Sequence, residues 1–139
     1  MDIVGPFHLA IAVNDLAAAR AFYGTLLGCV EGRSAERWVD YDFFGHQLSL
    51  HLTSSADEAH TNPVDGDSVP IPHFGCVLPW PDWHALVERI KDHGHDFILG
   101  PRIRFEGEVG EQATFFVLDA SQNALEFKSF RHPERLFAS

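Results

Sequence analysis

The order of apolar and polar side chains predicts a strand and then a helix at the start of the chain. Over residues 7–13 large apolar side chains occupy every second position, which is the period of a half-buried strand. Over residues 16–28 apolar side chains recur every three or four positions, which is typical of an amphipathic helix. Asn14 or Asp15 can cap this helix, and Gly28 can end it.

Three short strand patterns follow the helix, at residues 29–33, 37–44 and 47–52, and Gly45 and His46 lie between the last two. The first part of the chain, about residues 6–52, is therefore predicted to have the order β-α-β-β-β. Residues 53–71 are polar and are interrupted by Pro and Gly. This composition predicts a connection between two units rather than an element of either.

The same order begins again after the connection. A strand pattern at residues 73–78 precedes a helix that starts near Pro79 and Pro81 and ends at Gly94. Further strand patterns follow at residues 96–99, 112–118 and 124–130. The chain, residues 1–139, is thus predicted to be a single domain of two β-α-β-β-β modules, about 6–52 and 72–130, with a tail at 131–139.

The helix of each module can cover only one face of its sheet, so the other face needs a partner. We therefore predict an α+β fold in which two paired βαβββ modules form a curved mixed sheet around a cleft. The connection at residues 53–71 permits the modules to pair within one chain or between two chains. A homodimer is the expected assembly.

The charge of the chain excludes one class of partner. The 139 residues carry 10 Lys and Arg against 20 Asp and Glu, a formal charge of −10, so binding to nucleic acid is not expected. No apolar run approaches the roughly 20 residues of a membrane helix, and residues 1–13 lack the basic start of a signal peptide. Two cysteines suit a reducing compartment, so a cytoplasmic location is expected.

Nine histidines are many for this chain, and two of them fall at matching places in the two modules. Strand alternation directs His8 and His73 away from the helices and toward the cleft. In the last strand Leu125 and Phe127 face the helix, which directs Glu126 toward the cleft as well. Two imidazoles and one carboxylate are the ligand set of Fe(II) oxygenases and equally of three-ligand catalytic zinc sites.

Three stretches of the chain carry a resemblance to one superfamily: FHLAIAV with NDLAAARAFYGTLLG, then PHFGCVL with its helix, then FFVLDASQNALEF. The most specific pieces are the FY…LLG helix end and the closing hairpin from Asp119 to Phe127. Together they resemble the vicinal oxygen chelate superfamily, which includes glyoxalase I, ring-cleaving extradiol dioxygenases and bleomycin-resistance proteins. The resemblance covers about residues 6–130 and implies two paired βαβββ modules.

The resemblance implies metal ligands on the first strand of each module and on the last strand of the second, the places of His8, His73 and Glu126. Glyoxalase I enzymes add a Glu in an L-E-L context, where this chain has Ser49 between two leucines. Because a serine is a poor replacement for an anionic ligand, the three-ligand dioxygenases are the better match. Ring-cleaving members also place a Tyr ten residues before the ligand Glu, where this chain has Phe116.

Two further histidines are candidates for a catalytic role. The resemblance implies a catalytic His before the fourth strand of the first module, which is the place of His46. Strict alternation turns His46 away from the cleft and directs His51 toward it, so both are kept as candidates. Arg102 and Arg104 have two interpretations, as a clamp on a substrate carboxylate or as a solvated strand edge.

These features predict a metal-dependent, dioxygenase-like enzyme that chelates adjacent oxygens of a small organic substrate, for example an aromatic or a vicinal diol. A divalent ion is the expected cofactor, with Fe(II) favoured and Zn, Ni, Co or Mn as alternatives. Two other functions stay open at this point. One is a glyoxalase-like lyase or isomerase, and the other is a metal-free small-molecule binding protein of the bleomycin-resistance type.

Overall fold

The two halves of the chain repeat one order of elements. The computed structural model describes residues 5–54, 60–64 and 66–137, and for residues 60–64 it describes the backbone alone. The first half contains β1 (His8–Val13), α1 (Leu16–Arg20), a π-helical segment (Ala21–Leu26), β2 (Val30–Ala35), β3 (Trp38–Phe43) and β4 (His46–Leu52). The second half contains β5 (His60–Val64), β6 (Asp67–Ile71), β7 (His73–Val77), α2 (Trp80–Asp92), β8 (Leu99–Arg104), β9 (Gln112–Leu118), β10 (Ala124–Phe130) and a 3₁₀ turn (Pro133–Arg135).

Each half forms a four-stranded mixed sheet with the same connectivity. The strand orders are β1-β4-β3-β2 and β7-β10-β9-β8. In both sheets the first and last strands of the half pair in parallel, and the other neighbours pair antiparallel. The predicted α+β class and the duplicated βαβββ order are therefore confirmed. The contacts divide the chain into a first unit, with β1 to β4 and the turn Asp119–Gln122, and a second unit with β5 to β10 and α2.

Helix α2 covers one face of the second sheet. Trp83 and Ile90 are buried on its inner side, and the Trp83 indole Nε1 donates a hydrogen bond to the backbone oxygen of Phe127 at 2.9 Å. The helix begins after Pro79, with Asp82 in its first turn and basic residues in its last turn, which complements the helix dipole. Because Phe127 is fully buried beneath α2, its strand neighbours Glu126 and Lys128 point to the opposite, open face of the sheet.

The turn Asp119–Gln122 belongs to the first unit because it is hydrogen-bonded to the first helical segment. The Tyr23 hydroxyl donates to Asp119 Oδ2 at 2.8 Å, and the Asn14 backbone N–H donates to the Ser121 hydroxyl at 2.9 Å. Tyr23 is fully buried, and burial together with Asp119 raises the pKa of its phenol well above the ordinary value of 10.0. The phenol therefore stays protonated and remains a donor to this carboxylate.

The first helix differs from the sequence prediction in its second part. A single helix over residues 16–28 was expected, and α1 ends at Arg20 and continues as a π-helical segment over Ala21–Leu26. The backbone N–H of Leu27 donates to the oxygen of Phe22, five residues earlier, at 3.0 Å. Both of these side chains are buried, so the wider turn directs them toward the core together.

The predicted connection at residues 53–71 contains structure of its own, which corrects the interpretation of this segment. Strands β5 and β6 pair antiparallel from His60 with Ile71 to Val64 with Asp67. Gly66 lies at the turn between the two strands. Gly66 has a φ of +86°, a conformation that few other residues adopt. Residues 55–59 of the predicted connection lie outside the described residues.

The predicted strand at residues 96–99 is wrong, because the paired strand β8 begins at Leu99 and runs to Arg104. β8 is an edge strand, where a proline without an N–H costs no ladder bond, and the register shifts between Leu99 and Arg102 in a bulge. The strands at 112–118 and 124–130 have the predicted bounds.

Over the residues that the structure describes, neither helix is long and apolar enough to cross a membrane.

Candidate metal centre

The open face of the second sheet brings two of the predicted ligands together. Gly75 of β7, Glu126 of β10 and Phe116 of β9 are in register across three strands, so their side-chain directions share one face. His73 lies two residues before Gly75 on the same face, and its ring packs edge-on against Phe116 with centroids 5.0 Å apart. The imidazole Nε2 of His73 lies 3.2 Å from Oε1 of Glu126.

Hydrogen bonds fix the orientation of both side chains. His73 Nδ1 is 2.7 Å from the backbone oxygen of Pro70, and since a carbonyl oxygen can only accept, Nδ1 carries a proton. In the neutral ring the lone pair of Nε2 then faces the Glu126 carboxylate. The other carboxylate oxygen, Oε2, accepts a hydrogen bond from the Thr114 hydroxyl at 2.5 Å. This outer hydrogen bonding, in which an imidazole N–H donates to a carbonyl oxygen and a hydroxyl donates to a carboxylate, is typical of metal ligands.

The spacing of the two donor atoms suits a metal ion. Ligand nitrogen and oxygen atoms lie about 2.0–2.2 Å from a zinc-sized ion, so two neighbouring ligands are about 2.8–3.6 Å apart when the angle at the ion is between about 90° and 109°. The 3.2 Å between His73 Nε2 and Glu126 Oε1 lies inside this interval. Both side chains are partly exposed, at 26% and 16%, which leaves the pair open to an ion and a substrate.

A close approach of two backbones holds these residues in place. A Cβ atom on Gly75 would lie 1.6 Å from the backbone oxygen of Glu126 and 2.6 Å from its carbonyl carbon. Only glycine therefore fits at this point of β7, directly opposite Glu126 in the parallel register.

The third predicted ligand, His8, belongs to the first unit. It is exposed at the start of β1 and pairs with Gln47 of β4, on the face of the first sheet that points away from buried Val13. Within the described ranges, neither unit gathers three His, Cys, Asp or Glu side chains at metal-binding distances. His73 and Glu126 are therefore neighbours within the second unit, whereas His8 lies in the first unit.

Ser49 occupies the place in the first sheet that Glu126 occupies in the second. Ser49 pairs with Ala10 and Asp40, as Glu126 pairs with Gly75 and Phe116. The Ser49 hydroxyl donates a 2.6 Å hydrogen bond to Oδ1 of Asp40. A carboxylate is therefore present on this face, one strand away from the position where the resemblance implies a Glu.

The two candidate catalytic histidines lie on opposite faces of β4. The pairing of β4 with both neighbours is continuous, without a bulge, so alternation holds along the strand. His51 shares the open face with Ser49 and pairs with Ala12. His46 faces the other way, and its Nδ1 accepts a hydrogen bond from the backbone N–H of Phe7 at 2.8 Å.

The sequence did not predict the hydrogen-bond partners of the residues at these sites. Thr114, Asp40 and the carbonyl of Pro70 each hold a predicted residue by one hydrogen bond. Strand alternation places Thr114 on the face of Phe116 and so gave a usable signal. No side-chain pattern identifies a backbone carbonyl as a partner, so the role of Pro70 had no such signal.

The thiol of Cys76 is on the opposite face of β7 from His73, where burial raises its pKa to about 11. At pH 8 the thiolate fraction is then about 200-fold lower than for a free thiol of pKa about 8.5. A Cys29→Ser variant keeps only this thiol. We expect the folded variant to react with iodoacetamide about 200-fold more slowly than the same variant unfolded in urea. Equal rates in the two states, measured by mass spectrometry, would show that this thiol is not desolvated.

Comparison with known proteins assigns the family. The profile of the Glyoxalase/Bleomycin resistance protein/Dioxygenase superfamily matches residues 7–115. A solved glyoxalase/bleomycin resistance protein/dioxygenase from Alicyclobacillus acidocaldarius is 36% identical, with 95% of this chain and 96% of that chain covered and a TM-score of 0.78. The chain therefore belongs to the glyoxalase/bleomycin resistance protein/dioxygenase superfamily.

More distant solved structures share the fold. The genomically encoded fosfomycin resistance protein FosX from Listeria monocytogenes is 22% identical, with 97% of this chain and 100% of that chain covered and a TM-score of 0.69. A glyoxalase/dioxygenase from Nostoc punctiforme is 18% identical, with coverage of 94% and 97% and a TM-score of 0.67. Among curated protein sequences none matches this chain.

Proposed function

We propose that this chain is a metal-dependent enzyme, with a divalent ion held by His73 and Glu126 of the second unit and His8 of the first. Fe(II) is favoured over Zn, Ni, Co and Mn, because Ser49 stands where glyoxalase I enzymes carry a fourth ligand, which leaves the three-ligand set of the dioxygenases. When bound, the ion supplies Lewis acidity and open positions for two adjacent oxygens of a small substrate. The proposed reaction class is dioxygenase-like.

The observation that supports the proposal most is the approach of His73 Nε2 to Glu126 Oε1 at 3.2 Å. The Pro70 carbonyl keeps the proton on Nδ1, so two groups that only accept face each other when the ring is neutral. Such a pair repels unless a cation lies between its atoms or the ring gains a second proton. A divalent ion between the two atoms supplies this positive charge.

The chain's own residues divide the remaining tasks. Phe116, packed against His73, gives the site an apolar wall and cannot donate a proton. Of the two candidate histidines, His51 shares the open face of the first sheet with His8, so it is the proposed proton acceptor. His46 is engaged by the Phe7 backbone and is assigned to the hairpin that joins β3 to β4.

A second candidate function is a glyoxalase-like isomerase or lyase, and one contact favours it. Asp40 lies half-buried beside Ser49 and accepts hydrogen bonds from the Ser49 hydroxyl at 2.6 Å and from Gln47 Nε2 at 3.3 Å. A carboxylate held in this way can take a proton from a carbon acid next to a carbonyl. In this case the ion would be Zn, Ni or Co.

Oxygen consumption separates the two candidates. Apo protein is loaded with Fe(II) without air, and uptake of O₂ is followed with an electrode on a panel of catechols, with a Zn-loaded sample as control. The dioxygenase proposal predicts O₂ uptake by the Fe(II)-loaded protein and none by the Zn-loaded protein. The rate of uptake should fall about 100-fold or more in His51→Gln and be retained in His46→Gln. No uptake from any catechol, together with isomerisation of α-ketoaldehyde adducts by the Zn or Ni form, would overturn it in favour of the second candidate.

A further inference from the structure

The open face of the second sheet carries a cluster of cations beside Glu126. Arg102 of β8, Thr114 of β9 and Lys128 of β10 form one row across three strands, which are about 4.8 Å apart. Arg104 lies one row further along the same face. This face thus holds three of the ten Lys and Arg side chains of a chain whose formal charge is −10.

The row of Arg102, Thr114 and Lys128 is adjacent to the row that contains Glu126, on the same face of the sheet. Thr114 stands between Arg102 and Lys128 in the register, and its hydroxyl donates to Oε2 of Glu126 at 2.5 Å. Adjacent rows on one face of a sheet are about 7 Å apart. A molecule bound at Glu126 through two oxygens therefore reaches this row with a third polar group.

One carboxylate already lies on the row. The guanidinium Nη2 of Arg102 is paired with Oδ2 of Asp67, at the start of β6. The two side chains are 43% and 27% exposed, so the pair is accessible and an ion in solution can compete with it. The planar guanidinium fork matches the geometry of carboxylate and phosphate groups.

We propose that Arg102, with Lys128 and Thr114, binds an oxyanion group of the substrate in exchange for Asp67. The inference rests on the proposed function and deepens it, because it names the substrate class: a small molecule with adjacent chelating oxygens at one end and a carboxylate or phosphate-like group at the other. Asp67 holds Arg102 in position while no substrate is bound.

Inorganic phosphate is the probe, titrated into apo protein by isothermal calorimetry with ionic strength kept constant by NaCl. We expect Asp67→Asn to bind phosphate up to about 5-fold more tightly than the unmodified chain, because its competitor is removed. Arg102→Gln should bind at least 10-fold more weakly, and Arg102→Lys, which keeps the charge without the fork, should lie between. The matched control is Glu31→Gln, which breaks the comparable Arg20 ion pair of the first unit and should leave the affinity unchanged.

Identical affinities in Asp67→Asn, Glu31→Gln and the unmodified chain, or full binding by folded Arg102→Gln, would overturn the inference. Metal content is measured on separate portions of the same preparations after they have been loaded with Fe(II) without air and freed of excess ion. If the phosphate pattern holds in a protein that retains no metal, the oxyanion site stands and the proposed function fails. If metal is retained and the phosphate pattern is absent, the proposed function stands and the oxyanion site fails.

Discussion

Replacement of Gly75 by alanine is expected to cause the largest loss of stability among the substitutions considered. The new methyl group would lie 1.6 Å from the backbone oxygen of Glu126, and no side-chain rotation can relieve a clash with backbone. Strand β7 would have to move away from β10, along which five register pairs are formed. We expect a loss of about 3 kcal/mol or more, at the upper end for overpacking, and a melting temperature lower by about 10 °C.

Gly110→Ala is the matched control for this substitution. A Cβ atom at Gly110 meets nothing within 4 Å, and this glycine has no positive φ, so the change should alter stability by no more than about 0.5 kcal/mol. Thermal unfolding followed by circular dichroism compares the two variants. If Gly75→Ala melts with the control, the close approach of β7 to β10 is wrong, and the spacing of His73 and Glu126 with it.

Alternation along the strands predicted much of the fold. Buried and half-buried positions alternate along most of β9 and β10, and the predicted bounds of both strands agree with the structure. Where the prediction failed, a local feature broke the pattern. The edge position of β8 allows Pro101 inside a strand, and this position depends on the whole sheet rather than on neighbouring residues. The strands β5 and β6 mix polar residues with proline and a few apolar residues, so no clear apolar period marks the hairpin.

The candidate site was predictable only for side chains whose chemistry is distinctive. His73 and Glu126 stand out because imidazole and carboxylate are metal ligands and because alternation directs both to one face. Thr114 and the Pro70 carbonyl decide the orientation of these two groups. Alternation alone places Thr114 on the face of Phe116, but its contact with Glu126 depends on the pairing of β9 with β10. The Pro70 carbonyl comes from a hairpin directly before β7, which local spacing does not encode. The contact of Asp40 with Ser49 likewise depends on the partner strand that presents the serine.

Removal of the Glu126 carboxylate is expected to abolish metal binding. The Glu126→Ala chain keeps the two imidazoles and loses its anionic ligand. The same carboxylate accepts the Thr114 hydrogen bond and faces His73, so both of these contacts are lost as well. Loss of outer partners alone lowers metal affinity about 10- to 100-fold, so loss of the ligand should exceed 100-fold. Thr114→Val, which removes only the outer hydrogen bond, should bind metal about 10-fold more weakly. Glu88→Ala, on the exposed side of α2 beside Lys91, should bind as the unmodified chain does.

The proposed metal site is tested by the metal content of these four purified proteins after they have been loaded with Fe(II) without air and freed of excess ion. We expect one ion per chain in the unmodified protein and in Glu88→Ala, and none retained in folded Glu126→Ala. Equal metal content in Glu126→Ala and the unmodified protein, or no metal in any of the four, would contradict it.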